Sequence, residues 1–221
     1  MAAHVALEET GVPYEGIPVN LRKGEQHAEP FKQINPRAEV PVLKVGDETI
    51  TQSVAILAYI GREFPDAALL PRDAVAEARC LSTLAWISCA VDSQFRRMGR
   101  PERFVADEAA HASVKTGAKE AYWAGCREID AQLSGQPWLA GDQYTVCDAY
   151  ALVYYGWAGL FGLPVTELTA FSDLKDRLIQ RPAVRRVLQR EKNPLLKSAQ
   201  SAPRKSRLTQ GENHVPPGSD N

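Results

Sequence analysis

The sequence predicts a small α/β unit followed by an all-α unit, and three observations carry that expectation. Up to about residue 65, short apolar pieces alternate with Gly, Pro and Asn; beyond it, long stretches repeat with the 3.6-residue period of a buried helix face. From about residue 197 no apolar periodicity remains, and Ser, Pro, Gly, Lys and Arg dominate, so 197–221 reads as a disordered tail. The 221 residues carry 26 basic and 27 acidic side chains, a balance that argues against a dedicated nucleic-acid binder. At 44% hydrophobic the chain is an ordinary globular one, neither collagen-like nor disulfide-scaffolded.

Residues 2–10 read as a helix closed by Gly11, the residue best suited to a left-handed cap. Tyr14 to Val19 reads as a short strand despite Pro18. Glu29 to Ile34 reads as a short helix ended by Asn35-Pro36, because the residue before proline avoids the helical region. Pro41–Val45 and Glu48–Thr51 flank Gly46-Asp47, a two-residue hairpin link. A helix then starts at Ser53, with Ile56, Leu57, Ile60 and Phe64 on one face, and Pro65 stops it. In the second part Ile87, Val91, Phe95 and Met98 place residues 73–98 in one long amphipathic helix. Tyr122, Cys126, Ile129 and Leu133 mark another over roughly 107–134. Thr145-x-x-Asp148 resembles a capping box opening a nearly apolar helix. Phe171, Leu174 and Leu178 mark the next, and Pro182 suits the first turn of a last one carrying Val184, Val187 and Leu188. The expected units are 1–66 and 72–192.

No basic n-region opens the chain, and the longest uncharged span, Ala149 to Thr166, holds three Gly and falls short of a bilayer crossing. Cys80, Cys89, Cys126 and Cys147 have no zinc spacing and read as reduced core thiols; the four His are scattered. A cytoplasmic protein without metal or membrane attachment is expected. The α/β unit starts inside a helix, which leaves a thin sheet of one strand and a hairpin. Two explanations stand: Met1 is internal to a longer protein with an upstream strand and loop of about 10–15 residues, or the unit is degenerate.

Ile34-Asn35-Pro36-Arg37-Ala38-Glu39-Val40-Pro41-Val42-Leu43 resembles the N-P-x-x-x-V-P-x-L segment of glutathione transferases. Gln52-Ser53-Val54-Ala55-Ile56-Leu57-Ala58-Tyr59-Ile60 resembles the E/Q-S-x-A-I-x-x-Y-L segment that follows it there. Leu7 to Tyr14 is similar to the end of the family's first helix and the turn after it. Trp138 to Asp142 with Thr145 to Ala149 is similar to its G-x-x-x-T-x-A-D segment. Each motif alone is weak; the ordered set, running from residue 2 to about 192, is specific, and the bacterial beta-like branch resembles it most. The resemblance implies a thioredoxin-like N-terminal domain lacking its first strand and an all-α helical-bundle C-terminal domain. It also implies glutathione as co-substrate and a homodimer.

By the same resemblance Pro41 follows a cis bond, and Val40 offers its backbone N–H and C=O to the cysteinyl part of glutathione. Gln52 and Ser53 hold the γ-glutamyl carboxylate; independently, Ser53 is a good N-cap whose neighbouring N–H groups attract carboxylates. Read by themselves, Val40-Pro41 is a plain trans proline opening a strand and Ser53 a structural cap. Lys23 and Arg37 are basic loop residues able to pair with the glycyl carboxylate, or simply solvated surface charges. Glu39 departs from the family's Lys or Gln, and a carboxylate there would repel an anionic tripeptide. Phe95, Met98 and Trp157 are candidates for the pocket of an apolar second substrate, with core packing the alternative. Arg96-Arg97 falls where beta-like enzymes carry a His, and no catalytic role is assigned to it. The family's sulfur-facing Ser, Cys or Tyr finds no counterpart in residues 1–11, where His4 is the one polar candidate. The expected function is a glutathione transferase conjugating glutathione to small hydrophobic electrophiles, as in detoxification. The alternative is a non-catalytic glutathione-binding or scaffold protein on the same fold.

Overall fold

A computed structural model of the chain describes residues 1–196; the tail expected over 197–221 lies outside the described residues. The N-terminal part runs α1 (Ala2–Thr10), α2 (Glu29–Ile34), β1 (Val42–Val45), β2 (Glu48–Thr51) and α3 (Ser53–Glu63). Gly11 ends α1 at φ 71°, the left-handed conformation that glycine adopts without a Cβ clash. The two strands pair antiparallel, with Val42 opposite Thr51 and Val45 opposite Glu48, so Gly46-Asp47 is the two-residue turn that the sequence implies. Among the described residues this hairpin is the whole sheet.

Tyr14–Val19 is not a strand. The segment is irregular and exposed, with Ile17 at 76%. Pro18 removes one ladder donor, and a strand exists only through a partner: β1 pairs with β2, and the segment pairs with neither. Tyr14 is fixed instead by its side chain, whose hydroxyl donates to Glu8 on α1.

The helical part comprises α4 (Ala74–Trp86), a π-helical stretch (Ile87–Asp92), α5 (Ser93–Gly99), α6 (His111–Leu133), α7 (Val146–Leu160), α8 (Thr169–Gln180) and α9 (Pro182–Arg190). The first three are continuous, so the single long helix expected over 73–98 is present, with one wide turn in its middle. By length and composition Ala74–Gly99 could also cross a membrane. Its apolar residues Cys80, Leu84, Ile87 and Val91 are instead buried among the other helices, chiefly α6 and α7. The expected faces of α6, α8 and α9 are all inward: Tyr122, Cys126, Ile129 and Leu133; Phe171, Leu174 and Leu178; Val184, Val187 and Leu188.

α7 is the spine of the molecule, with ten of its fifteen residues buried. Its start is fixed by a full capping box. Thr145 Oγ1 accepts the Cys147 N–H, and the Asp148 carboxylate accepts the Thr145 N–H at 2.8 Å and the Leu139 N–H at 2.9 Å. Three cysteines are buried free thiols, Cys80 and Cys147 with their sulfurs 3.2 Å apart. Cys89, expected in the core, is exposed: it sits on the outer face of the π-helical stretch.

The two parts share one core. α1 packs against α3, α7 and α9, and Val5 and Ala6 are fully buried there. Its carboxylates are clamped by arginines from the far end of the chain. Arg181 holds Glu9 at 2.6 and 3.0 Å, while Arg186 and Arg190 hold Glu8.

Candidate functional site

A cleft forms where the N-terminal part meets the long helix. It is lined by Asn35, Glu39, Val40, Pro41, Thr51, Gln52, Ser53 and Arg96. Three local structures build it. The first is the turn after α2. Asn35, 1% exposed, donates from Nδ2 to the Glu39 carbonyl at 2.7 Å and accepts the Arg37 N–H on Oδ1 at 3.2 Å. Its own carbonyl accepts the Ala38 N–H at 2.9 Å, and Ala38 sits at φ 55°. One buried amide thus shapes residues 35–39, and the chain leaves this turn through a cis Val40-Pro41 bond into β1.

The second is the start of α3. Gln52 occupies the cap position at φ 69° and ψ 124°, a conformation that non-glycine residues rarely adopt. Such backbone strain concentrates at binding and catalytic sites. The Ser53 cap expected from the sequence is therefore corrected: Gln52 is the cap residue and Ser53 the first helical one, with no side-chain capping bond. The first intrahelical bond runs from Ile56 N–H to the Gln52 carbonyl at 3.0 Å. The amides of Ser53, Val54 and Ala55 precede it, the arrangement in which a helix start offers N–H donors to a carboxylate.

The third is the helical wall. Arg96 on α5 donates from Nε to Asp92 Oδ2 at 2.7 Å and from a terminal nitrogen to Glu39 Oε1 at 2.9 Å. The Asp92 bond, then the Glu39 one, raises the pKa of an already basic guanidinium, so Arg96 stays charged. Asp92 Oδ1 in turn accepts from the Tyr154 hydroxyl at 3.3 Å. Glu39 is thus not a bare carboxylate facing the cleft; it is half of an ion pair joining the two parts.

Four of the six residues expected to bind glutathione (Val40, Pro41, Gln52 and Ser53) come together in this cleft. Lys23 and Arg37 do not. Lys23 ends an exposed turn at Leu21–Lys23, Arg37 points outward from its turn, and neither borders the cleft. The cation that does border it is Arg96, which helical periodicity leaves on a solvent-facing position and which the sequence marks only through the resemblance, near the place of the family's His. Its place beside Glu39 depends on how α5 docks.

Phe95, Met98 and Trp157 do not border the cleft either. Phe95 stacks on Trp157 with ring centroids 3.8 Å apart, Phe161 meets Phe95 edge-on, and Met98 is buried. Phe95 and Trp157 are half-buried. His4 is occupied elsewhere, with Nδ1 3.0 Å from Glu191 Oε1. Among the described residues no group of three or more His, Cys, Asp or Glu could hold a metal ion.

A thioredoxin-like N-terminal domain reduced to a two-stranded sheet, a cis-proline edge beside a helix start, and a helical domain behind them define a glutathione-transferase fold. Comparison with known proteins agrees. The family model for the glutathione S-transferase N-terminal domain matches residues 1–62. A maleylpyruvate isomerase of Ralstonia is 34% identical over 153 residues, covering 66% of this chain and 71% of that protein. The solved structure of a bacterial beta-class glutathione S-transferase from Sphingomonas chungbukensis is 30% identical with a TM-score of 0.76, covering 86% of this chain and 92% of that one. A sphingomonad glutathione S-transferase solved in complex with glutathione is 29% identical with a TM-score of 0.77, over 86% and 93%. The chain belongs to the glutathione S-transferase family.

Proposed function

We propose that the chain binds glutathione in the Val40–Ser53 cleft and conjugates it to small hydrophobic electrophiles. The observation that carries this is the convergence of the cis Val40-Pro41 edge and the α3 start in one cleft. The backbone N–H and C=O of Val40 pair with the cysteinyl residue as a neighbouring strand would. The amides at the start of α3, with Gln52 and the Ser53 hydroxyl, hold the γ-glutamyl carboxylate. Fixing the peptide at both points holds its sulfur still, and orientation supplies much of the rate in such a two-reactant step. In the reaction the sulfur lone pair forms the S–C bond, the leaving group departs with its electron pair, and the thiol proton passes to solvent. A free thiol near pKa 8.5 is only a few per cent thiolate at neutral pH, so the rate depends on the thiolate fraction as well as on this positioning.

The homodimer and the two-domain division at 1–66 and 72–192 belong to the same reading. Supporting the dimer, Val75, Ala78, Ser82, Ala85 and Cys89 form an exposed small-residue stripe along the long helix, repeating every three and four residues. A cytoplasmic setting suits the three buried free thiols.

Calorimetric titration of the 1–221 chain with glutathione tests the proposal, followed by an assay with a chlorodinitrobenzene. Saturable binding that weakens about tenfold to a hundredfold in Ser53→Ala supports it, the range expected for one hydrogen bond to a charged group. A folded chain that binds no glutathione overturns it, and binding without turnover leaves a glutathione-binding protein.

A further inference from the structure

Resting on that reading, we propose that Arg96 is the cation that receives a glutathione carboxylate, and that Glu39 is a built-in competitor for it. The N-terminal part brings no other cation into the cleft, since Lys23 and Arg37 lie outside it. Arg96 reaches it from the helical part and has two carboxylate partners of different character. Asp92 is one helical turn away on the same continuous helix, its side chain 14% exposed, and Tyr154 holds its other oxygen. It is a fixed partner that aims the guanidinium. Glu39 is 57 residues away on the turn before Val40, its side chain 36% exposed, and its second oxygen has only a 3.5 Å contact with the Gln52 amide. It is an exchangeable partner. A ligand carboxylate arriving beside Gln52 and Ser53 can take the Glu39 place on Arg96 while the Asp92 bond holds.

With one cation against two carboxylates, this corner of the cleft disfavours a negatively charged peptide. Removing the Glu39 charge frees Arg96 and lifts the repulsion, so both effects strengthen binding. Removing the Arg96 charge leaves two carboxylates without a counter-charge and does the reverse. Glu39 and Arg96 therefore set glutathione affinity in opposite directions. The pair also ties ligand entry to the contact between the two parts of the molecule.

Titration of the 1–221 chain with glutathione at low salt, in wild type, Glu39→Gln, Arg96→Gln and Arg96→Lys, tests this. Glu39→Gln is expected to tighten binding about threefold to tenfold, the scale of one partly exposed charge, with the gain shrinking as salt is raised. Arg96→Gln weakens binding at least as much, and Arg96→Lys recovers part of the loss because the charge survives without the fork. Thermal melts establish that each variant is folded; should Arg96→Gln fail to fold, Glu39→Gln decides alone. Weaker binding in Glu39→Gln overturns the proposal, because Glu39 would then hold the ligand ammonium, and unchanged binding overturns it too. Wild type that binds no glutathione defeats the underlying reading, and this inference with it. Wild-type binding that Ser53→Ala weakens and Glu39→Gln leaves unchanged defeats this inference alone.

Discussion

The stretch from residue 7 to residue 55 and helix α7 are held together by different physics. In the first, the buried residues are Gln26 and Asn35, both polar. In the second, apolar and aromatic side chains fill most of the length, and its tyrosines are bonded too: the Tyr154 hydroxyl donates to Asp92 at 3.3 Å, and the Tyr155 hydroxyl lies 3.0 Å from the Ser172 hydroxyl. The proposed binding edge is therefore displayed by a segment without a core of its own. Its shape comes from a few specific hydrogen bonds, such as those of Asn35, and from anchorage through α1 and α3 onto the helical part. Hydrophobic burial is large but indifferent to detail, whereas hydrogen bonds are small but directional. A site made of backbone edges needs the second more than the first.

The contrast can be broken most forcefully at the α7 cap. Asp148→Ala leaves the buried Leu139 and Thr145 amides without an acceptor, and we expect a loss of about 3 kcal/mol or more in urea denaturation. Asp148 also gives the contrast a pH signature. Burial pushes its carboxyl from 3.8 up to about 6, against the opposing amide donors of Leu139 and Thr145. The folded state thus holds this proton more tightly than the unfolded chain does. The Asp148 contribution to stability is therefore complete below pH 3.8 and falls as pH rises to about 6. Stability curves of wild type and Asp148→Asn should differ by that slope, and parallel curves would refute it.

Next in size is the joint between the two regions. A Cβ at Gly61 would lie 2.5 Å from Leu70 Cγ, so Gly61→Ala should overpack the end of α3 and cost about 1–3 kcal/mol, read as a lowered melting temperature. Asn35→Ala sharpens the comparison from the other side. It removes the hydrogen bonds that shape the turn, at about 1–2 kcal/mol of stability, and should weaken glutathione binding more than it lowers the melting temperature. Equal damage to both would mean the turn is a structural joint and not a binding edge. The smallest effect is expected at Arg62–Glu77, an ion pair at 2.7 Å whose arginine is 62% exposed. Arg62→Ala should change stability by about 0.5 kcal/mol or less.

The sequence by itself determined most elements whose signal is local, although it put the α3 cap at Ser53 where the structure has Gln52. Apolar spacing marks the inward faces of α6, α8 and α9, Gly11 marks a helix end, Gly46-Asp47 a hairpin turn, and Thr145 with Asp148 a cap. Those patterns arise within one turn of helix or one pair of strands, so neighbouring residues carry them. The order of the Val40-Pro41 and Gln52-Ser53 motifs also marked the cleft. Only the tertiary structure decided what depends on partners far along the chain. Tyr14–Val19 has strand-like residues but no partner to pair with. Phe95 and Trp157, far apart in the chain, stack on each other. Arg96 meets Glu39 across 57 residues, while Lys23 and Arg37, nearer in sequence, stay outside the cleft. Charge and apolarity can be read residue by residue; which residue faces which is set by how the helices dock.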